Sequence, residues 1–210
     1  MDAQEVDEKT GERERAEFVA KAKLPTQFGD FEIYAFEDRK MKTHLALVRG
    51  DVKDAQEVPV RLHSRCLTGD ALGSMRCDCR EQYEKAIKYL GKQEKGVLLY
   101  MNQEGRGIGL ANKIRAYELQ DKGLDTVQAN HQLGFADDLR SYESAADMLK
   151  YLQVGSVVLL SNNPKKVQGL QKEGIEVAKR MPLQIDGNEH DANYLKTKKE
   201  KMGHILDEQD

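Results

Sequence analysis

The sequence predicts an α+β fold, a mixed sheet with helices packed on it, and three observations carry that expectation. Short segments near the start, Phe28–Phe36, Leu45–Val48 and Val58–Leu62, read as strands, the first through apolar alternation at period two. From Tyr83 onward, helical periodicity alternates with short apolar runs, the pattern of strand, helix, strand units. The chain of 210 residues is long enough for one sizeable core.

Taken in order, residues 1–21 are dense in charge and are expected as a frayed or helical tail, leaving 22–210 as one catalytic domain. The three early strands suggest an antiparallel sheet leading into a cysteine-bearing loop. Tyr83, Ala86, Ile87 and Leu90 then fall on one helix face, and Gly91 ends that helix. Gly96–Met101 reads as a buried strand, and Leu110, Ile114 and Tyr117 as the apolar stripe of the next helix. Thr126 to His131 leads into a further motif, after which Ala145, Met148, Leu149 and Leu152 mark a helix. Ser156–Ser161 is expected as a strand, Asn162–Lys166 as a helix start, Gly174–Val177 as a last strand and Tyr194–Leu206 as a charged terminal helix.

Composition narrows the function. With 33 basic against 36 acidic residues the formal charge is −3, which offers no nucleic-acid or membrane surface. No apolar run approaches the roughly 18 residues of a membrane span, and the charged N-terminus has no signal core. A soluble, cytoplasmic protein is expected, since three cysteines cannot all pair and a reducing compartment keeps thiolates free.

All three cysteines lie between Arg61 and Arg80. Thr68-Gly69-Asp70 and Gly73 allow a turn that folds Cys66 back onto Cys77 and Cys79, a soft ligand set for zinc. Three thiolates leave one position for water, as hydrolysis requires, whereas His63 as fourth ligand would close the site, and three unliganded thiols are the plain alternative. Further along, Gln103-Glu104-Gly105-Arg106-Gly107-Ile108-Gly109 joins a strand to a helix, where backbone amides and the helix N-terminus suit phosphate. Its glycines match neither the dinucleotide nor the Walker fingerprint, so the loop by itself is also a simple tight turn. Asp138-Leu139-Arg140 precedes a helix and alone would be a local ion pair.

The segments H-S-R-C-L-T-G-D with R-C-D-C, Q-E-G-R-G-I-G-L-A-N-K-I-R-A-Y, A-N-H-Q-L-G-F-A-D-D-L-R and N-N-P-K-K, in that order, resemble GTP cyclohydrolase II over about Ala22 to Leu206. The resemblance implies the first step of riboflavin synthesis: conversion of GTP to 2,5-diamino-6-ribosylamino-4(3H)-pyrimidinone 5′-phosphate with release of formate and pyrophosphate. Zinc on Cys66, Cys77 and Cys79, magnesium on the GTP triphosphate, and a homodimer are implied with it. Arg140 would be the proposed nucleophile toward the α-phosphorus, Asp138 its base and Tyr117 a group beside the guanine, although a protonated guanidinium is physically better suited to clamping phosphate. Substrate contacts carry over to Arg61, His63, Ser64, Gln82, Glu104, Gly105, Arg106, Thr126, Ser161 and Lys166. A carboxylate such as Glu104 can accept the N1 and N2 hydrogens of guanine. Arg65 stands where the family usually has glutamate, Asn102 where arginine is frequent, and Ser161 where threonine is usual. Too few residues precede Ala22 for the dihydroxybutanone phosphate synthase domain that some relatives carry, so a stand-alone form is expected. The rival readings are a cyclohydrolase that stops at the formamide and a zinc-stabilised guanine-nucleotide sensor without turnover.

Overall fold

The computed structural model describes residues 15–136 and 138–183. Seven strands form one sheet: β1 (Ala16–Thr26), β2 (Gly29–Asp38), β3 (Thr43–Arg49), β4 (Val58–Ser64), β5 (Gly96–Met101), β6 (Val157–Leu160) and β7 (Val177–Met181). Their order across the sheet is β1-β2-β3-β5-β4-β6-β7. The helices are α1 (Leu67–Asp70), α2 (Cys79–Leu90), α3 (Leu110–Asp121), α4 (Thr126–Gln132), α5 (Glu143–Tyr151) and α6 (Pro164–Lys172), with a 3₁₀ turn at Glu104–Gly107. Among the described residues no helix is long and apolar enough to cross a membrane.

The expected α+β class and mixed sheet are present, but the pairing differs from an antiparallel run of the first three strands. β3 pairs antiparallel with β5, while β4 lies between β5 and β6 and is parallel to both. Burial explains this: β4 is covered along nearly its whole length, the signature of a central parallel strand, and α1 and α2 supply the crossover that a parallel return requires. The charged segment expected as tail also contributes structure, because β1 begins at Ala16. Its partner on one side is β2 and no strand among the described residues pairs with its other edge; Lys21 and Lys23 stay in solvent as edge strands favour, while Phe18 stacks on Tyr151 with ring centroids 4.8 Å apart. The last strand lies at Val177–Met181, later than expected, and Tyr194–Leu206 falls outside the described residues.

Helices cover both faces. On one, Val60 and Leu62 of β4 and Val97, Leu99 and Met101 of β5 pack with Ala145, Met148 and Leu149 of α5 and Leu170 of α6. On the other, Leu98 of β5 meets Ile87 and Leu90 of α2, and the alternation of β4 turns Arg61 and His63 to this same side. α2 stops where predicted: a side chain at Gly91 would run into the Phe28 carbonyl oxygen at 1.9 Å. α3 departs from its predicted stripe, since Ile114 is 48% exposed and Ala116 is the residue it buries; Tyr117 faces a cavity instead of the core. α4 was not read as a helix from the sequence, yet it carries a full capping box between Asp125 and Gln128.

Leu99 is wholly buried at the middle of the sheet. Replacing it with Ala should remove about 2–5 kcal/mol of stability, read as a lower urea midpoint with an unchanged slope.

Candidate active site

The strand ends build the site. Directly after β4 the chain turns through Cys66–Asp70, and the Asp70 carboxylate holds that turn in place. It accepts from the Cys66 amide at 2.9 Å, the Tyr100 hydroxyl at 2.8 Å and His63 Nε2 at 3.0 Å. This fixes His63 as the Nε2–H tautomer, and its ring stacks on Tyr100. Burial pushes the His63 pKa down, so the ring is neutral. His63 therefore faces Asp70, and the metal-ready group among the described residues is Cys66, Cys77 and Cys79, whose sulfurs lie within 4.8 Å of one another. Gly69 is what lets them close: a side chain there would lie 2.9 Å from Cys77 Sγ and 3.2 Å from Cys66 Sγ. Cys77 and Cys79 followed by the Lys113 ammonium hold the Cys66 thiol well below its ordinary value, while contact with Cys66 pushes Cys77 up to about 11. Three adjoining soft donors sharing negative charge suit zinc in charge and ligand type.

Beyond β5, the 3₁₀ turn holds Gly105 at φ 60° and Arg106 at φ 59°, the left-handed region that costs a non-glycine residue energy. Glu104, at the start of this turn, is buried and points inward. Its carboxylate accepts from the Leu67 amide at 2.7 Å and from Lys113 Nζ at 2.8 Å, with Arg65 Nε at 3.8 Å. The Arg106 carbonyl accepts from the Leu139 amide, which ties the Asp138–Arg140 segment to the same turn.

Between these loops lies a cavity of about 320 Å³. The three cysteines and Tyr117 form one end, the Tyr117 hydroxyl standing 3.3 Å from Thr68 Oγ1 and its ring under the Arg76 guanidinium at 4.7 Å. Arg106 and Arg140 line it as well. Arg140 grips Asp138 through two bonds, Nε to Oδ1 at 2.8 Å and Nη2 to Oδ2 at 2.6 Å, and reaches Ser64 Oγ at 3.4 Å. Burial opposes the Asp138 charge, but Arg140 outweighs it and holds the carboxyl below the usual carboxylate range.

Of the residues expected at the site, the three cysteines, Ser64, Gly105, Arg106, Tyr117, Thr126 and Arg140 line this one cavity, with Asp138 paired to Arg140. Arg61, His63, Gln82, Glu104, Ser161 and Lys166 are not among the lining residues. Arg61 donates to the Leu160 carbonyl at 3.0 Å and to Gln82 at 2.7 Å, and burial lowers its pKa to about 10. Lys166 Nζ donates to the Leu62 carbonyl at 2.8 Å, and Ser161 Oγ accepts from the Asn163 amide at 3.0 Å. Sequence reasoning passed over Lys113, Asn130 and Arg76. Asn130 is 3% exposed and lines the cavity one helical turn from Thr126, with no hydrogen bond from its carboxamide among the described residues. The i, i+4 spacing of Thr126 and Asn130 would have pointed to it once α4 was read as a helix. Arg65 and Asn102, two of the three departures from the family pattern, touch each other: Arg65 Nη1 donates to Asn102 Oδ1 at 3.3 Å.

The profile of GTP cyclohydrolase II matches residues 17–182, the strands and loops that build this cavity. The chain belongs to that family. A GTP cyclohydrolase-2 from Picrophilus torridus is 54% identical, covering 90% of this chain and 99% of its own. One from Hahella chejuensis is 53% identical over 90% of this chain and 92% of its own. One from Klebsiella pneumoniae is 54% identical over 90% and 94%. A solved two-domain 3,4-dihydroxy-2-butanone 4-phosphate synthase from A. baumannii aligns at TM-score 0.45 and 23% identity, covering 84% of this chain and 42% of that one. As a GTP cyclohydrolase II family member the chain is an enzyme of the hydrolase class.

Gly69→Ala tests the packing of the thiols. The added methyl should cost about 1–3 kcal/mol and spread the three sulfurs, lowering Zn2+ affinity in a competitive chelator titration while far-ultraviolet circular dichroism stays native.

Proposed function

We propose that this chain opens the imidazole ring of GTP, releasing formate and pyrophosphate and yielding 2,5-diamino-6-ribosylamino-4(3H)-pyrimidinone 5′-phosphate, the first step of riboflavin biosynthesis. The observation that supports this best is the joining, in one cavity, of a three-thiol cluster with four arginines, Arg65, Arg76, Arg106 and Arg140. Thiols of that arrangement suit a hydrolytic metal, and guanidinium groups suit a polyphosphate. Zn2+ on Cys66, Cys77 and Cys79 would supply Lewis acidity that brings the pKa of water to about 7. Mg2+ would arrive on the triphosphate oxygens.

The protein's own groups divide the remaining work. Arg140 and Asp138 act as a charged pair: a carboxylate held ionised by its guanidinium is a weak base toward it, so Arg140 stays protonated and grips the α-phosphate. Attack by Arg140 on phosphorus would require Asp138 to take up the guanidinium proton first, and that is the step this ion pair resists. Arg106 extends the anionic clamp along the glycine turn. Tyr117, whose pKa burial raises, remains a phenol and offers a proton donor beside the thiol end, where the guanine ring must lie. Asn130 and Thr126 present neutral donors and acceptors to the nucleotide from α4. Arg61, His63, Gln82, Glu104, Ser161 and Lys166 serve the substrate by fixing the strand ends and turns that carry the lining groups. A cytoplasmic homodimer completes the proposal.

The test is incubation of the zinc-loaded protein with GTP and Mg2+, quantifying formate, pyrophosphate and the diaminopyrimidine. Equimolar release of all three is expected. Pyrophosphate without formate would replace the reading with a variant stopped at the formamide, and bound GTP without release would replace it with a nucleotide sensor. In the same assay Asn130→Ala should raise KM for GTP about tenfold, the equivalent of one lost hydrogen bond of about 1.4 kcal/mol, with kcat changed less.

A further inference from the structure

Lys113 lies in the first turn of α3, and its side chain is only 12% exposed. Its ammonium makes two contacts, donating to Cys66 Sγ at 3.0 Å and to Glu104 Oε1 at 2.8 Å, and the Tyr117 ring one turn further on lies 5.7 Å away. A cation this deep needs matched acceptors, because burying it without them costs several kcal/mol. A neutral thiol is a weak acceptor, whereas a thiolate is a strong one. The pairing is therefore suited to Cys66 as a thiolate.

We propose that Lys113 is the counter-cation and positioning residue of the three-cysteine centre. The inference rests on the reading that Cys66, Cys77 and Cys79 hold Zn2+. A divalent ion on three thiolates leaves one negative charge in a buried pocket, and the Lys113 ammonium, hydrogen-bonded to one of the sulfurs, cancels it. The Glu104 carboxylate is matched in turn by the half-exposed Arg65 at 3.8 Å, so the set of charges is neutral overall. A hydrogen bond to a ligand sulfur draws electron density from it and leaves a stronger Lewis acid.

The same side chain joins three segments. Glu104 belongs to the glycine turn and also accepts from the Leu67 amide of the cysteine turn, so the chain Leu67–Glu104–Lys113–Cys66 closes a ring through α3. Within that ring the thiol cluster and the Gly105-Arg106 clamp cannot shift independently. Lys113 lines the thiol side of the cavity, but its ammonium is engaged by the sulfur and the carboxylate.

The experiment compares the full-length wild type with Lys113→Met and Lys113→Arg in two measurements that do not depend on turnover: Zn2+ affinity by chelator competition, and the thiolate-to-cobalt charge-transfer band after Co2+ substitution. Lys113→Met is expected to weaken Zn2+ binding about 10–100-fold, the usual effect of removing a partner from a metal ligand, and to move the band to lower energy as Cys66 becomes more electron-rich. Lys113→Arg should restore most of the affinity and the band position. If Lys113→Met does not fold, Lys113→Gln makes the same comparison. An unchanged affinity and band in the neutral variant, or failure of Arg to restore them, overturns the role of the charge. A wild type that shows no thiolate band with Co2+ overturns the metal reading itself, and the inference with it.

Discussion

The parallel pairing of β4 with both β5 and β6 is the constraint on which the rest depends. Parallel strands end on the same side, so Ser64, Met101 and Leu160 bring their following loops to one edge of the sheet. A loop from any one of them would lack the others' chemistry. The polar groups buried there act as clasps between strand ends: Arg61 on the Leu160 carbonyl, Lys166 on the Leu62 carbonyl, and the Arg65 amide on the Met101 carbonyl. Each satisfies a backbone acceptor that the end of a strand leaves without a ladder partner.

Two carboxylates then set the loops on these ends. Asp70 takes the amide of Cys66 and Glu104 the amide of Leu67, so consecutive peptide groups of the cysteine turn are held from opposite sides. Their negative charge is spent on these amides, while Arg65, Arg76, Arg106 and Arg140 line the cavity. The separation of sign suits the polyanion proposed above: the Asp70 and Glu104 carboxylates brace the cysteine turn and do not line the cavity.

Much of this was legible in the residues. The three cysteines announced their cluster by sitting around Gly69 and Asp70, and the strand at Gly96–Met101 announced itself by an unbroken apolar run. What the sequence could not convey was order across the sheet. β3 and β4 are neighbours in the chain but not in space, because the burial of β4 on both faces outweighs proximity, and no local pattern encodes that choice. β1 was obscured for the opposite reason, since an edge strand with solvent on its open side carries the same charges as a tail. Lys113 and Glu104 look like any surface pair nine residues apart until the turn and the helix bring them together, with Lys113 on the Cys66 sulfur. The expectation that Glu104 meets the base came from its type, and its inward aim is a property of the fold alone.

The clasp from Arg61 to Leu160 spans 99 positions of the chain, and this has a consequence for how the protein matures. Contacts so distant in sequence form late, because the intervening chain must first be closed into a loop at an entropic cost. Glu104 and Lys113, which brace the cysteine turn, both follow β5, so the braced cluster exists only once β4 and β5 have paired. On the proposed metal reading, tight loading of the centre would report that β4 and β5 have docked and brought Glu104 and Lys113 to the cysteine turn.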